Sequence, residues 1–121
     1  MLDHNHWYIL CRSKELKKKP LARTICKHAV VGFRDRAGTA AVLQDRCAHR
    51  NMALSRGSVT EHGIRCSYHG WAYAGDGHCA DIPASCETCD VYAKIKVKSY
   101  PVREKQGMIW LWMGAELPES R

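Results

Sequence analysis

No run in this sequence approaches the roughly 18 consecutive apolar residues that a membrane-spanning helix needs. Its opening, Met1-Leu2-Asp3-His4-Asn5-His6, lacks a basic stretch followed by an apolar one, which argues against a secretion signal. Helical periodicity is poor almost throughout, so neither a helix bundle nor a nucleic-acid recognition helix is expected. Internal repeats and linkers are missing too. With 121 residues, the chain has enough length for one core and too little for two. These absences predict a single domain over 1–121, in the cytoplasm, with no membrane and no nucleic acid among its partners.

What is present alternates with period two. Trp7-Tyr8-Ile9-Leu10-Cys11 reads as a first strand, and Ser13 to Lys19 as a short turn ended by Pro20. Leu21 to Cys26 and Lys27 to Arg34 carry β-branched alternation, clearest in Ala29 to Arg34. Asp35 to Gly38 predicts a hairpin turn, with Thr39 to Gln44 as the returning strand. Val59 to Glu61, His62-Gly63 and Ile64 to Cys66 predict a second hairpin. Trp71 to Tyr73 is a further short strand, Gly75 to Gly77 a tight turn and Asp81 to Pro83 an edge. Residues 84–92 read as a surface loop, and Tyr92 to Val102 as one half-exposed strand. Gln106-Gly107 turns into Met108 to Met113, apolar throughout and therefore central. The expected fold is all-β, an antiparallel sandwich with two ligand-bearing loops at one tip.

Those loops carry the chemistry. Cys47-Ala48-His49-Arg50 follows the end of one strand, and Cys66-Ser67-Tyr68-His69-Gly70-Trp71 follows the second hairpin. Two thiolates and two imidazoles are thus offered as matched pairs, Cys47/His49 and Cys66/His69, within a binding region of about 45–75. Two Cys and two His suit tetrahedral zinc, although zinc fingers commonly pair Cys with Cys and His with His. They also suit an iron–sulfur cluster in which His₂ replaces Cys₂ on one iron.

The pattern Cys-x-His-Arg, spacer, Cys-x-x-His-Gly-Trp closely resembles the Rieske signature. Similarity continues outside it, to the Rieske domain that opens the α subunit of Rieske non-haem iron, ring-hydroxylating oxygenases. It is carried by Trp7 to Leu10, Ser13 to Leu16, Val31 to Asp35, Leu54 to Gly57, Ile82-Pro83, Tyr100 to Glu104 and Gly107 to Gly114. The resemblance implies a Rieske-type [2Fe-2S] cluster with Cys47 and Cys66 on one iron and His49 and His69 on the other. Arg50, Tyr68, Gly70 and Trp71 would surround it, with Arg50 orienting the loops and Trp71 covering the cluster. Two ferric ions, two sulfides and two thiolates sum to zero charge. Reduction at the His-bound iron therefore adds a single negative charge, a modest cost near a surface.

The same resemblance implies partners. A flavin reductase or ferredoxin would donate the electron, and a mononuclear iron domain with a 2-His-1-carboxylate triad would accept it. Nothing after Gly114 offers a second iron site, so this chain is expected to act as a Rieske component of an aromatic-ring-hydroxylating system. A stand-alone Rieske ferredoxin-like carrier is the alternative; a zinc-stapled structural module is more distant. Respiratory-chain Rieske proteins carry an extra Cys in each loop as a disulfide brace, and a Ser after His-Gly. Met52, Ser67-Tyr68 and Trp71 stand in those places here, which predicts a potential at the low end of the Rieske range.

Lys and Arg total 19 against 12 Asp and Glu, a net charge of +7, concentrated in Arg12 to Lys19 and Lys94 to Lys98. An acidic redox protein, a ferredoxin or flavoprotein, is the partner such a surface would steer best, with a plain solvated surface as the alternative reading. Cys86-Glu87-Thr88-Cys89 with Cys79 lacks a thioredoxin-like context and is read as incidental thiols. His28, His62 and His78 are read as structural.

Overall fold

Alternation along two neighbouring strands divides the protein into two cores. In the computed structural model, which describes residues 6–46, 53–61, 63–67, 70–81 and 96–114, the strands form three antiparallel sheets. The central sheet contains β2 (Leu21–Ile25), β3 (His28–Arg34), β4 (Ala40–Gln44) and β9 (Ser99–Tyr100), in that order. Val31, Phe33 and Leu43 enter one core, whereas Val30 and Val42 enter the other. Neighbours in sequence thus point to opposite faces, as the pleat demands. All five of these side chains are fully buried.

The first core is closed by β5 (Ser58–Thr60), β6 (Gly63–Arg65), β7 (Ala72–Tyr73) and β8 (Cys79–Asp81), paired in sequence order. Ile64, Cys66, Trp71, Tyr73 and Cys79 meet Phe33 and Leu43 there. The second core is closed by β1 (Trp7–Arg12), β11 (Met108–Trp112) and β10 (Val102–Lys105), with β11 in the middle as expected. Leu10, Leu16, Ile109 and Leu111 fill it. Gly32 faces this side, where a Cβ would come within 2.5 Å of Leu10 Cδ2.

The expected hairpins are present, and three details differ. β2 turns into β3 through Cys26 and Lys27, both at positive φ (51° and 66°), without the Gly or Asn that signals such a turn. The single strand expected over Tyr92 to Val102 is interrupted within the described residues. Lys96 forms only an isolated bridge to His78, and Pro101, with no N–H to donate, separates β9 from β10. Asp81 of the edge expected over Asp81 to Pro83 ends β8, whereas residues 82–95, with the loop expected over 84–92, lie outside the described residues.

The third difference is Trp110, whose apolar surroundings in the sequence predict a place in the core with Trp71 and Trp112. Those two are buried, but Trp110 is half-buried because β11 sends Ile109 and Leu111 inward. Its indole Nε1 donates to the Lys105 carbonyl at 3.3 Å on the outer face. Trp112 shares that face and is covered by Trp7, their ring centroids 5.6 Å apart. No helix among the described residues is long and apolar enough to cross a membrane.

One guanidinium joins the outer and central sheets. Arg34, at the end of β3, donates to the carbonyls of Leu16 (2.7 Å), Ser13 (3.0 Å) and Gly38 (2.9 Å). It also forms a two-pronged pair with Glu104 of β10, at 2.8 and 2.6 Å. This fork geometry is one that Lys cannot reproduce. Arg34 holds the Glu104 carboxyl down, from 4.5 to about 2. A depressed carboxyl contributes stability above its unfolded value and loses it as pH falls through the folded one. Glu104 is 37% exposed, so solvent screening limits the pair to about 1 kcal/mol. Urea unfolding at a series of pH values should show Glu104→Gln less stable at neutral pH by about that amount. The deficit should shrink between pH 4.5 and about 2, whereas a constant deficit would remove the ion pair as its cause.

Candidate metal centre

Both loops expected to bear ligands leave from strand ends that share the first core. β4 ends at Gln44, and the next two residues are fixed by backbone bonds, Asp45 N–H to Ala29 O (3.0 Å) and Arg46 N–H to Gln44 O (2.8 Å). Asp45 then reaches across the base of the first loop. Its Oδ1 accepts from the Ser55 N–H and its Oδ2 from the Ser55 hydroxyl, each at 2.7 Å. The clasp joins the residue two before Cys47 to the far side of 47–52. Each bond to an ionised acceptor contributes about 1.5–3 kcal/mol, so the pair is a substantial closure. Ser55 sits in a 3-10 turn, Leu54–Arg56, whose Leu54 is fully buried.

The exit of the first loop then meets the entry of the second. Gly57 lies against the carbonyl of Arg65, where a Cβ would come within 1.8 Å of that oxygen. Arg65 ends β6 and immediately precedes Cys66. Here glycine is required by proximity rather than by a turn.

The second loop is closed at its own base. Cys66 N–H donates to Trp71 O at 2.7 Å, and Gly70 N–H donates to Cys66 O at 3.1 Å. Gly70 has φ 75°, a left-handed conformation natural to glycine. The Cys66 side chain is buried beside Trp71 in the first core, with 2% and 3% of their surfaces exposed. The Arg65 guanidinium closes the arrangement, with Nη1 donating to the Gly70 carbonyl and Nη2 to Asp81 Oδ2 at 2.7 Å.

Of the residues expected at the centre, Cys66, Gly70 and Trp71 are therefore brought together. Cys47, His49, Arg50, Tyr68 and His69 lie outside the described residues. Sequence reasoning did not single out Asp45, Arg65 or Asp81. Asp45 had a signal in its place at a strand end, two residues before the expected ligand Cys47, but Asp81 had none, being remote in sequence. Among the remaining thiols, Cys79 is buried on β8 with its Sγ 3.8 Å from Asp81 O. Cys11 is buried in the second core, where burial pushes its thiol pKa up. His78 is not isolated, since its Nδ1 contacts the Asp76 carboxylate, which the His78 N–H and ring hold below the usual range.

Residues 6–101 match the Rieske [2Fe-2S] domain family. The chain belongs to that family. A Rieske domain carries a [2Fe-2S] cluster as its cofactor, and the donor chemistry here fits one: a buried thiol at the base of a closed loop, next to the base of another. The Rieske domain is 34% identical to the 3-chlorobenzoate-3,4-dioxygenase oxygenase subunit of Comamonas testosteroni, over 98% of this chain and 28% of that protein. It superposes on dicamba monooxygenase bound to dicamba with a TM-score of 0.83 and 33% identity, covering 97% of this chain and 36% of that one. It also matches a chain from the oxygenase and ferredoxin complex of carbazole 1,9a-dioxygenase at TM-score 0.80 and 31% identity, over 95% and 30% of the two chains. The chain spans about a third of the length of these relatives.

Gly57→Ala tests the contact between the loop bases. A methyl group forced against a backbone carbonyl must displace one strand end, at a cost of about 2 kcal/mol or more. Thermal unfolding should show a lower Tm, and the purified variant should hold less iron than the unaltered chain. An unchanged Tm would show that the two bases are not in contact.

Proposed function

We propose that this Rieske domain passes single electrons within an aromatic-ring-hydroxylating oxygenase system. Cys47 and Cys66 hold one iron, and His49 and His69 hold the other. The cluster supplies reversible one-electron chemistry when bound. The protein's own part is to keep the site dry on one side and to hold the ligands still. Trp71 and the first core shield the Cys66 side, and the closed base of the second loop limits its movement. Less reorganisation on reduction means faster transfer. The observation that carries this reading is the buried Cys66 at the end of β6, in a loop closed by its own backbone.

The proposed partners are redox proteins on either side of the cluster. A flavin reductase or a ferredoxin supplies the electron, and a mononuclear iron oxygenase domain takes it. The carbazole 1,9a-dioxygenase structure is a complex of oxygenase and ferredoxin, which supports a protein donor. The excess of basic residues favours an acidic one. A cytoplasmic setting goes with this reading, as a compartment that keeps thiols such as those of Cys11, Cys26 and Cys79 reduced.

Iron, sulfide and zinc assays together with low-temperature EPR of the dithionite-reduced chain test the proposal. About two irons per chain and a rhombic signal, with average g below that of the free electron, are expected. Cys66→Ser should abolish the signal while the far-UV spectrum stays that of a β protein. A silent spectrum with zinc in place of iron would overturn the assignment.

A further inference from the structure

Arg65, Ala72 and Asp81 form one row across three strands: Arg65 pairs with Ala72, and Ala72 pairs with Asp81. Cross-strand partners share a face of a sheet, so the two charged side chains meet over the small Ala72 between them. The Arg65 fork takes two acceptors there, the Gly70 carbonyl and the Asp81 carboxylate. Gly70 is consequently held at both polar backbone atoms, its N–H by Cys66 O and its C=O by Arg65. It is also the residue that directly follows His69.

We propose that Arg65 is a positioning residue of the cluster centre, fixed by Asp81 and fixing the peptide between His69 and Trp71. This rests on the reading of His69 as a ligand. The pair is not deeply desolvated, since the Arg65 and Asp81 side chains are 26% and 36% exposed. Its Coulomb energy is therefore modest, and its value is geometric. A planar fork bonded at two points defines the orientation of the carbonyl it grips. Groups that hold a ligand's surroundings in this way govern how tightly the metal is kept and at what potential.

Charge and position predict different results. If Arg65 acts only as a cation, its loss lowers the reduction potential, because the reduced cluster is the more negative state. Loss of the Asp81 charge then raises it. If Arg65 acts by position, both losses loosen the same peptide and act alike.

The test compares the unaltered chain with Arg65→Lys, Arg65→Gln, Asp81→Asn and the Gln/Asn double variant. Cluster release to a chelator, the EPR g values and the midpoint potential are measured, with far-UV circular dichroism as the check on folding. Position predicts that each single variant releases the cluster about tenfold faster, with g values altered in the same sense. Arg65→Lys gives no rescue, because an ammonium keeps the charge and loses the fork. The double variant is little worse than either single one, as expected for residues acting as a unit. Arg65→Lys behaving like the unaltered chain would overturn the proposal. So would opposite potential shifts in Arg65→Gln and Asp81→Asn with g values and release unchanged. Should Arg65→Gln not fold, Arg65→Lys and Asp81→Asn decide the question by the same criteria. Absence of the rhombic signal from the unaltered chain would remove the ligand assignment and this proposal together, whereas failure of the variants alone removes only Arg65.

Discussion

The two-faced central sheet is the constraint on which the rest of the structure depends. β3 and β4 have apolar side chains on both sides, a pattern usual for strands covered on both faces. Val30 and Val42 require a cover on one side, and Val31, Phe33 and Leu43 require one on the other. The sheet containing β1, β10 and β11 supplies the first cover, and the sheet of β5 to β8 the second. Both loops proposed to bear ligands begin where this burial ends. β4 comes from the central sheet and β6 from its cover, so packing Leu43 and Ile64 into one core also aligns the two loop bases. Site geometry is in this sense a by-product of core packing, and the polar contacts then refine it.

The refinement lies in a few groups at the seam. Asp45 closes the first loop on itself through Ser55, and Arg65 closes the second through Gly70 and Asp81. Gly57 lets the two bases touch. Farther away, Arg34 and Glu104 perform a comparable task between the central sheet and the β1–β11–β10 sheet, gathering Ser13, Leu16 and Gly38 around one guanidinium. Each uses a charged fork or carboxylate to collect backbone groups from separate elements that hairpin hydrogen bonding leaves without a common partner.

Much of this was legible in the sequence because strands announce themselves by alternation. The turn over Asp35 to Gly38 carries glycine and lies where its residues predict, and β5 and β6 pair as the second expected hairpin, with Gly63 opposite Thr60. Cys26-Lys27 was less legible because neither residue signals positive φ; register with β3 imposes the turn from outside. Trp110 misleads for a related reason. A run as apolar as Met108 to Met113 hides its own alternation, and only pairing with Arg103 and Ile9 places Trp110 on the outer face. The proposed ligand types and spacing were read from the sequence alone, and of that group the described residues bring Cys66, Gly70 and Trp71 together. Arg65 and Asp81 were not readable, because sixteen residues and two strand pairings separate them. Several residues quoted for their family likeness, Ser13, Leu16, Arg34 and Glu104, also prove to be one hydrogen-bonded group, something a linear motif does not disclose.

The way the loops are closed has a chemical consequence. A disulfide between loops resists thermal opening, but it must be made and kept in an oxidising compartment. The cysteines in the described residues form no disulfide, and carboxylate and guanidinium clasps stand at the loop bases instead. Such clasps need no oxidant and survive beside strong reductants. Their cost is a dependence on ionisation and on a few well-aimed hydrogen bonds. Losing one partner leaves the other polar group without its acceptor or donor, a cost separate from the modest Coulomb energy of the part-exposed Arg65–Asp81 pair. These clasps rest on very few side chains, and Asp45 and Arg65 stand two residues before Cys47 and one before Cys66, where the proposed ligands begin.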